Sequence, residues 1–126
     1  MDFPDDLKYH PEHMWVRLEE GGKATVGISD YAQEQLGTVI YIDLPDVEQE
    51  LSVGEELGAV ESAKSVSDLI SPVTGVVLKV NRRLEDTPDL INLEPYTGGW
   101  IARVKLTDAD ELEELYDAGE YEAELD

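Results

Sequence analysis

Short stretches of alternating apolar and polar residues, separated by turn residues, recur along the first hundred positions of this 126-residue chain. Alternation with a period of two places the apolar side chains on one face of a β-strand. Residues 14–28 are the clearest case, because two alternating runs flank Gly21 and Gly22 and predict a β-hairpin. The other candidate strands lie at 39–44, 57–62, 66–71, 76–80 and 100–106. The sequence therefore predicts a β-rich protein, organised as a single domain over residues 1–126.

Two segments have a helical pattern instead. A Ser-Asp pair can cap a short helix near 29–36, which Gly37 can end. A second helix is predicted near 108–118, with acidic residues in its first turn and an end near Gly119. The polar, proline-containing segment 81–95 is predicted to be a long connection.

The chain is strongly acidic: 30 Asp and Glu against nine Lys and Arg give a formal net charge of -21. Such a surface repels nucleic acids and anionic lipids, so binding to either is excluded. Leu, Ile, Val and Phe make up 34 of the 126 residues, which is enough to form a core despite the charge. Because the acidic excess extends along the whole chain, we interpret it as an adaptation to a salt-rich, halophilic cytoplasm.

Composition also limits where the chain works and what chemistry it performs. The absence of cysteine excludes disulfides, thiolate nucleophiles and zinc-thiolate sites. The first residues do not resemble a secretory signal, and no apolar run reaches the roughly 18 residues of a membrane span, so a soluble, cytoplasmic protein is expected.

No group of residues has the pattern of a catalytic or metal site. His10 and His13 are three apart, but Pro11 separates them and no further His or Cys could complete a metal site. No Ser-His-acid arrangement, phosphate-binding glycine loop or calcium-binding loop is recognisable. We therefore expect a protein that is not an enzyme, with no catalytic residue and no metal.

Lys64 is the residue whose neighbours in the sequence most strongly suggest a functional role. Its neighbours Ala63 and Ser65 are small, and glycine and proline residues frame it almost symmetrically, so a position at the tip of a hairpin is predicted. An exposed lysine on a flexible stem can carry a prosthetic group. On spacing alone, an ordinary surface lysine is the favoured interpretation.

The chain resembles the H proteins of the glycine cleavage system along nearly its whole length. Residues 58–64 and 71–77, GAVESAK and SPVTGVV, resemble a lipoyl-attachment hairpin. That hairpin is shared by several carrier families, whereas its combination with Pro95-Tyr96 and Gly98-Gly99-Trp100 is specific to H proteins. Further similar positions are Leu7-Lys8-Tyr9, His13, Trp15, Val26-Gly27-Ile28, Ala32-Gln33, Leu36-Gly37, Asp43-Leu44-Pro45, Asn92 and Glu94.

The resemblance implies both a fold and an attachment site. The fold would be a barrel-sandwich hybrid, in which two antiparallel sheets pack face to face. Lipoate would be bound covalently to Lys64 through an amide bond, giving N6-lipoyllysine. The flanking positions of the attachment motif would be Glu61, Ser62, Ala63, Ser65 and Gly75.

The resemblance also implies a set of partner enzymes. Glycine decarboxylase, a PLP enzyme, would load an aminomethyl group onto the lipoyl arm, and an aminomethyltransferase would pass its carbon to tetrahydrofolate. Dihydrolipoyl dehydrogenase, with FAD and NAD, would then reoxidise the arm. A lipoyl-attaching enzyme is required as a fourth partner.

One position departs from the family pattern. Met14 stands where the family usually has a glutamate that is associated with holding the loaded arm in a cleft. Glu12 could replace that carboxylate, since positions 12 and 14 share a face if the strand is regular, although Pro11 disturbs the geometry. Asp68 matches an acidic family position near the arm. Glu12 and Asp68 are therefore the candidate arm-cleft residues, with solvated acids as the alternative.

Three alternatives keep the hairpin but change its use. A biotin carrier is disfavoured, because such carriers usually flank the lysine with methionines instead of Ala63 and Ser65. A protein that donates lipoyl groups to other enzymes, or an unmodified binding module, is compatible with Met14, because a donor need not protect a cargo. A phosphopantetheine carrier, which would not keep the hairpin, is disfavoured because it would need a serine at a helix start in an all-helical bundle.

Overall fold

Within residues 1–125, which the computed structural model describes, nine β-strands form two antiparallel sheets. In chain order they are β1 (Lys8–Tyr9), β2 (Met14–Glu19), β3 (Lys23–Ile28), β4 (Val39–Asp43), β5 (Glu50–Leu51), β6 (Glu56–Ser62), β7 (Val66–Ile70), β8 (Gly75–Val80) and β9 (Ala102–Leu106). One sheet has the spatial order β1-β2-β3-β9-β8-β5, and the other has the order β4-β6-β7. The predicted β-rich fold of two antiparallel sheets is confirmed.

The hairpin predicted for residues 14–28 is formed by β2 and β3. Their register places Met14 opposite Ile28 at the open end of the hairpin. Gly21 and Gly22 make the turn, with φ values of 78° and 72°. Glycine adopts this left-handed conformation without the steric cost that other residues incur, which is why the pair marks the turn in the sequence.

A single cluster of buried apolar side chains joins the two sheets. The three-stranded sheet contributes Leu57, Val60 and Leu69, and the six-stranded sheet contributes residues such as Val26 and Val77. Each of these side chains is at most 4% exposed. Full burial of a side chain of this size stabilises the fold by about 1.5–3 kcal/mol, so this shared core holds the two sheets together.

A second, mainly aromatic cluster lies on the opposite face of β2. Trp15 points away from Met14 and Val16, because neighbouring side chains on a strand alternate between faces. The members of this aromatic cluster are Leu7, Tyr9, Trp15, Tyr96, Ala118 and Tyr121. The beginning and the end of the chain therefore meet on this face.

The short helix predicted near 29–36 is confirmed as α1 (Asp30–Leu36). Its N-cap is Ser29, whose Oγ accepts a hydrogen bond from the Ala32 N–H at 3.2 Å. Gly37 ends the helix with φ 78° and ψ -165°, a positive-φ conformation that glycine adopts without the steric cost other residues incur.

The segment 81–95 contains more structure than a plain connection. Two one-turn helices occupy it, α2 (Arg83–Asp86) and α3 (Leu90–Leu93). Leu84 and Ile91 are fully buried and anchor these turns to the core. None of the helices in residues 1–125 has both the length and the apolar character needed to cross a membrane.

The helix predicted near 108–118 is wrong in its extent. The chain forms a 3-10 helix over Ala109–Glu114, becomes extended, and then forms α4 over Ala118–Glu124. Gly119, where the sequence predicts an end, lies in the first turn of α4.

Long-range backbone pairing explains this difference. Tyr116 exchanges two backbone hydrogen bonds with Tyr9, at 2.8 and 2.9 Å. This pairing requires an extended chain and so interrupts the helix. Asp117 then starts a new helix through a capping box with Glu120. A contact between positions more than a hundred residues apart is not visible in the local pattern.

The acidic surface is scarcely neutralised within the protein. In residues 1–125 the one salt bridge joins Arg82 and Glu85 at 3.2 Å, and both side chains are exposed. Exposed pairs of this kind contribute little to stability. Screening of the repulsion among the acidic groups therefore depends on ions in the solvent.

We expect the melting temperature to rise by several degrees between about 0.01 M and about 1 M KCl, because the Debye length shortens from about 30 Å to about 3 Å. Thermal unfolding followed by circular dichroism measures this effect. A parallel series in sucrose, which is uncharged, controls for general exclusion of the solute from the protein surface. A melting temperature that does not respond to KCl would contradict the salt-rich interpretation of the composition.

Candidate lipoyl-attachment site

Lys64 lies in the tight turn that joins β6 to β7. The last strand pair before the turn is Glu61 opposite Val66, and the Ser62 N–H donates to the Ser65 carbonyl oxygen at 2.8 Å. The Lys64 side chain is exposed. The structure thus places this lysine at the tip of a hairpin whose two arms belong to the three-stranded sheet.

Ser62 holds the turn together from within. Its side chain is buried, and its Oγ accepts hydrogen bonds from the backbone N–H groups of Lys64 and Ser65, both at 3.2 Å. Serine is favoured in turns because its hydroxyl can satisfy nearby backbone donors in this way. Ala63 and Ser65 are exposed and small, so nothing bulky surrounds the lysine stem.

The end of α1 lies directly beneath the lysine, a relation that local sequence patterns do not reveal. A Cβ atom on Gly37 would lie 2.9 Å from Cε of Lys64. The Ala63 N–H also donates to the Thr38 carbonyl oxygen at 3.4 Å. Gly37 therefore ends the helix where the exposed lysine stem passes over its backbone.

Asn92 stabilises the loop beneath Lys64, residues 37–39, by side-chain hydrogen bonds. Its Oδ1 accepts from the Val39 N–H at 2.8 Å, and its Nδ2 donates to the Gly37 carbonyl oxygen at 2.8 Å and to Oε1 of Gln33 at 3.1 Å. One side chain from α3 thus links the end of α1 to the start of β4. The sequence suggests Asn92 only through the family resemblance, without indicating this bridging role.

A cleft of about 330 Å³ opens beside the hairpin. Both candidate arm-cleft residues, Glu12 and Asp68, line it. The other lining residues are His13, Met14, Ile28, Tyr31, Ala32, Gln35, Leu36, Val60, Ser67 and Leu69. The structure therefore brings the two carboxylates to one cavity, which has a largely apolar floor.

Glu12 reaches the cleft from a bent segment of the chain and not from a regular strand. β2 begins at Met14, so Glu12 precedes the strand, and His13 between them has φ 72°. This left-handed residue bends the chain, yet positions 12 and 14 still line the same cavity. Met14 is 1% exposed and forms part of the apolar wall.

Two residues of the attachment motif lie away from the cleft. Glu61 is half-buried and lies between Tyr41 and Val66 across the three-stranded sheet. Gly75 belongs to the six-stranded sheet, between Leu51 and Leu106.

A Cβ atom at Gly75 would collide with the carbonyl oxygen of Lys105. The role of this glycine in the structure is therefore close packing of strands, because only a residue without a side chain allows that approach.

The two histidines have roles other than metal binding. His10 Nδ1 accepts a hydrogen bond from the Glu12 N–H at 3.0 Å, and His13 Nδ1 lies 2.7 Å from the Tyr121 hydroxyl oxygen. Burial lowers the pKa of His13, and the nearby Glu12 opposes that shift only in part. Among the described residues, no three His, Asp or Glu side chains converge to hold a metal ion.

We expect Asn92→Ala to destabilise the protein by about 1–3 kcal/mol, because it leaves buried backbone groups unpaired. Urea unfolding measures the loss, and faster hydrogen exchange at the Val39 amide locates it. Asn81→Ala is the matched control, because Asn81 donates to the carbonyl oxygens of Gly98 and Trp100, both at 2.8 Å. Equal exchange at Val39 in both variants would mean that Asn92 does not fasten this loop.

Comparison with known proteins agrees with this geometry. The family model described as glycine cleavage H-protein matches residues 7–126. The glycine cleavage system H protein of Vibrio campbellii is 56% identical over 115 residues, which cover 91% of each chain. That of Marinobacter nauticus is 52% identical over 120 residues, covering 95% of this chain and 92% of the relative.

Similarity to a solved structure extends the match to three dimensions. The crystal structure of a glycine cleavage system H protein from Mycobacterium marinum has a TM-score of 0.88 and 38% sequence identity, covering 96% of this chain and 97% of that one. The resemblance noted in the sequence is thereby confirmed, and the chain belongs to the glycine cleavage H-protein family.

Proposed function

We propose that Lys64 is the residue through which this carrier of the glycine cleavage system holds lipoate, in an amide bond to its Nζ. As a family member the chain is a carrier component and not itself a catalyst. The observation that carries the proposal is the exposed lysine on a tight, internally bonded turn beside a cleft. We take residues 1–126 as one carrier domain.

The residues present suit a flexible lipoyl arm. The amine is free to be acylated because its neighbours in the turn are small and exposed. Acylation removes the positive charge of Lys64, so the modified arm can enter apolar surroundings at lower cost. The nearby cleft, with an apolar floor and two carboxylates at its rim, offers such surroundings.

The lipoyl disulfide, when attached, supplies the sulfur chemistry that a chain without cysteine cannot provide. The protein's own contribution is to hold the attachment point still while the arm moves. The Ser62 hydrogen bonds fix the turn backbone, and Gly37 and Asn92 fix the loop beneath it. Tethering the arm keeps it at a high effective concentration near any docked enzyme.

The proposal assigns the carrier a fixed sequence of partners in the cytoplasm. A lipoyl-attaching enzyme modifies Lys64, and glycine decarboxylase with PLP loads an aminomethyl cargo. An aminomethyltransferase passes the one-carbon unit to tetrahydrofolate, and dihydrolipoyl dehydrogenase with FAD and NAD restores the oxidised arm. A net charge of -21 favours partners whose docking surfaces are basic.

Glu12 and Asp68 are proposed to retain the loaded arm. The cargo carries an amine, and two carboxylates lining one cleft are suited to accept hydrogen bonds from it. The apolar Met14 in the wall would exclude water without contributing a charge. Glu12 would then supply the carboxylate that most relatives are expected to have two positions later.

A second candidate function is the donation of lipoyl groups to other enzymes. Met14 favours it, because a donor has no cargo to protect and needs no carboxylate at that position. A biotin carrier has less support, since Ala63 and Ser65 flank the lysine where methionines would be expected. The experiments below distinguish these functions.

We expect Lys64→Arg to abolish modification, because arginine keeps the charge but offers no amine that can be acylated at this position. The wild type, treated with a lipoyl-attaching enzyme, lipoate and ATP, should gain the mass of one lipoyl group. Lys79→Arg is the control, because Lys79 is also exposed but lies on β8. Intact mass spectrometry with peptide mapping measures this; a lipoyl group on Lys64→Arg, or a biotin mass on protein from its native source, would refute the assignment.

We expect Glu12→Gln and Asp68→Asn to leave modification unchanged but to accelerate loss of cargo from the loaded carrier roughly tenfold, because each removes a charge-assisted hydrogen bond. Release of ammonia after loading by glycine decarboxylase measures the loss. Glu34→Gln on α1 is the matched control, since this exposed glutamate does not line the cleft. A wild type that is lipoylated but never accepts cargo would favour the donor function instead.

A further inference from the structure

Besides Ile28 and residues of β6 and β7, the cleft is lined by two walls that come from separate parts of the chain. The loop wall is formed by residues 12–14, which precede and open β2. The helix wall is formed by four residues of α1, namely Tyr31, Ala32, Gln35 and Leu36. The width and shape of the cleft depend on how these two walls are held relative to each other.

One hydroxyl group outside the cleft is bonded to both walls. The hydroxyl oxygen of Tyr121, on α4, lies 2.7 Å from His13 Nδ1 in the loop wall. The same oxygen lies 2.7 Å from Oγ of Ser29, which caps the helix wall through the Ala32 N–H. Tyr121 itself does not line the cleft and is 1% exposed.

Backbone hydrogen bonds hold the main chain of the loop wall, since the His13 N–H donates to the His10 carbonyl oxygen at 2.8 Å and the Ser29 N–H donates to the His13 carbonyl oxygen at 2.9 Å, so the Tyr121 hydroxyl restrains the His13 side chain. His13 has φ 72°, a conformation that non-glycine residues retain only where their surroundings fix it. The His13 imidazole also packs against the Tyr31 ring of the helix wall, with 4.9 Å between ring centroids. The orientation of this ring therefore sets the contact between the two walls.

The Ser29 hydroxyl, the Tyr121 hydroxyl and His13 Nδ1 can form a chain of hydrogen bonds in which each hydroxyl donates to the next group. Ser29 accepts from the Ala32 N–H and can donate its own proton to Tyr121, which in turn can donate to Nδ1 of neutral His13. Burial raises the pKa of Tyr121 to about 12, so its hydroxyl keeps its proton at neutral pH. Burial also lowers the pKa of His13, which favours the neutral ring that this chain of bonds requires.

We propose that Tyr121 is a positioning residue for the arm cleft, joining the loop wall and the helix wall from the C-terminal helix. The inference rests on the proposed function in so far as the cleft shelters a loaded arm. Without the hydroxyl, the backbone bond from the Ser29 N–H to the His13 carbonyl oxygen, at 2.9 Å, remains, but the His13 ring loses its hydrogen-bonded link to the cap of α1. The cleft then opens to water more often, and the cargo is released sooner.

Tyr9 provides a matched control within the same aromatic cluster. Its ring stacks on that of Tyr121, with 4.8 Å between centroids and 6° between planes. Its hydroxyl donates to the Pro4 carbonyl oxygen at 2.8 Å and touches neither wall of the cleft. Tyr9→Phe and Tyr121→Phe therefore remove the same group from equally buried rings, and only the second removes the side-chain link between His13 and the cap of α1.

The first measurement uses the unmodified protein, so it does not depend on lipoate. An NMR titration of His13 should show a pKa below the ordinary value in the wild type. Tyr121→Phe should raise that pKa, because the neutral imidazole loses the hydrogen bond that the tyrosine hydroxyl donates to it. The acid dissociation constant of the protonated ring should fall about fivefold. Tyr9→Phe should leave it unchanged. The other titratable groups near His13, which all variants retain, are His10, Glu12, Tyr31, Asp68, Tyr116 and Glu124.

The second measurement follows retention of cargo. Each lipoylated variant is loaded by glycine decarboxylase with glycine labelled at its methylene carbon, and loss of label from the isolated carrier is timed. Tyr121→Phe should lose label about fivefold faster than Tyr9→Phe, which should match the wild type. Ser29→Ala, which cuts the other bond of the hydroxyl, should also accelerate the loss and serves as the test if Tyr121→Phe does not fold.

The inference is supported if the His13 pKa and the label-loss rate both change in Tyr121→Phe and neither changes in Tyr9→Phe. It is overturned if the His13 pKa is the same in the wild type and Tyr121→Phe, or if the two tyrosine variants lose label at the same rate. A wild type that cannot be lipoylated or loaded refutes the proposed function instead, and the titration alone then decides whether Tyr121 holds the loop wall.

Discussion

Packing of the three-stranded sheet against the six-stranded sheet is the interaction on which the rest of the structure depends. The chain carries a net charge of -21 and, in its described part, one exposed salt bridge, so electrostatics oppose compaction at low salt. Burial of side chains such as Val26, Leu57 and Val60 must outweigh both this repulsion and the entropy of ordering the chain. The hairpin that carries Lys64 contributes Leu57, Val60 and Leu69 to that packing, so the core anchors its two strands.

On this frame the molecule combines a hydrogen-bonded turn with an exposed lysine side chain. The Lys64 stem is exposed, while the backbone around it is held by Ser62, Gly37 and Asn92. This division suits a carrier that must present one arm to several enzymes. A flexible turn would add disorder that each docking event would have to remove, whereas a rigid one confines the freedom to the side chain and whatever it bears.

Local patterns predicted the elements that depend on neighbours in the sequence. The 14–28 hairpin and α1 follow from alternation, a glycine turn and a capping serine. The C-terminal helix was misplaced because pairing between Tyr9 and Tyr116 comes from distant parts of the chain. For the same reason the position of Gly37 under Lys64 and the bridging by Asn92 could not be read from spacing. The family resemblance named Glu12 and Asp68 for one cleft, but the left-handed backbone at His13 that presents Glu12 needed the structure.

The bond that joins the two cleft walls has a consequence for the order in which the protein is made. Both walls and the Lys64 hairpin lie within the first 70 residues, whereas Tyr121 belongs to α4. During synthesis from the N-terminus, the attachment turn and both walls therefore leave the ribosome well before the hydroxyl that ties the walls together. A nascent chain would present the lysine turn early, and the hydrogen bonds of Tyr121 to His13 and Ser29 would form only when α4 docks onto the aromatic cluster.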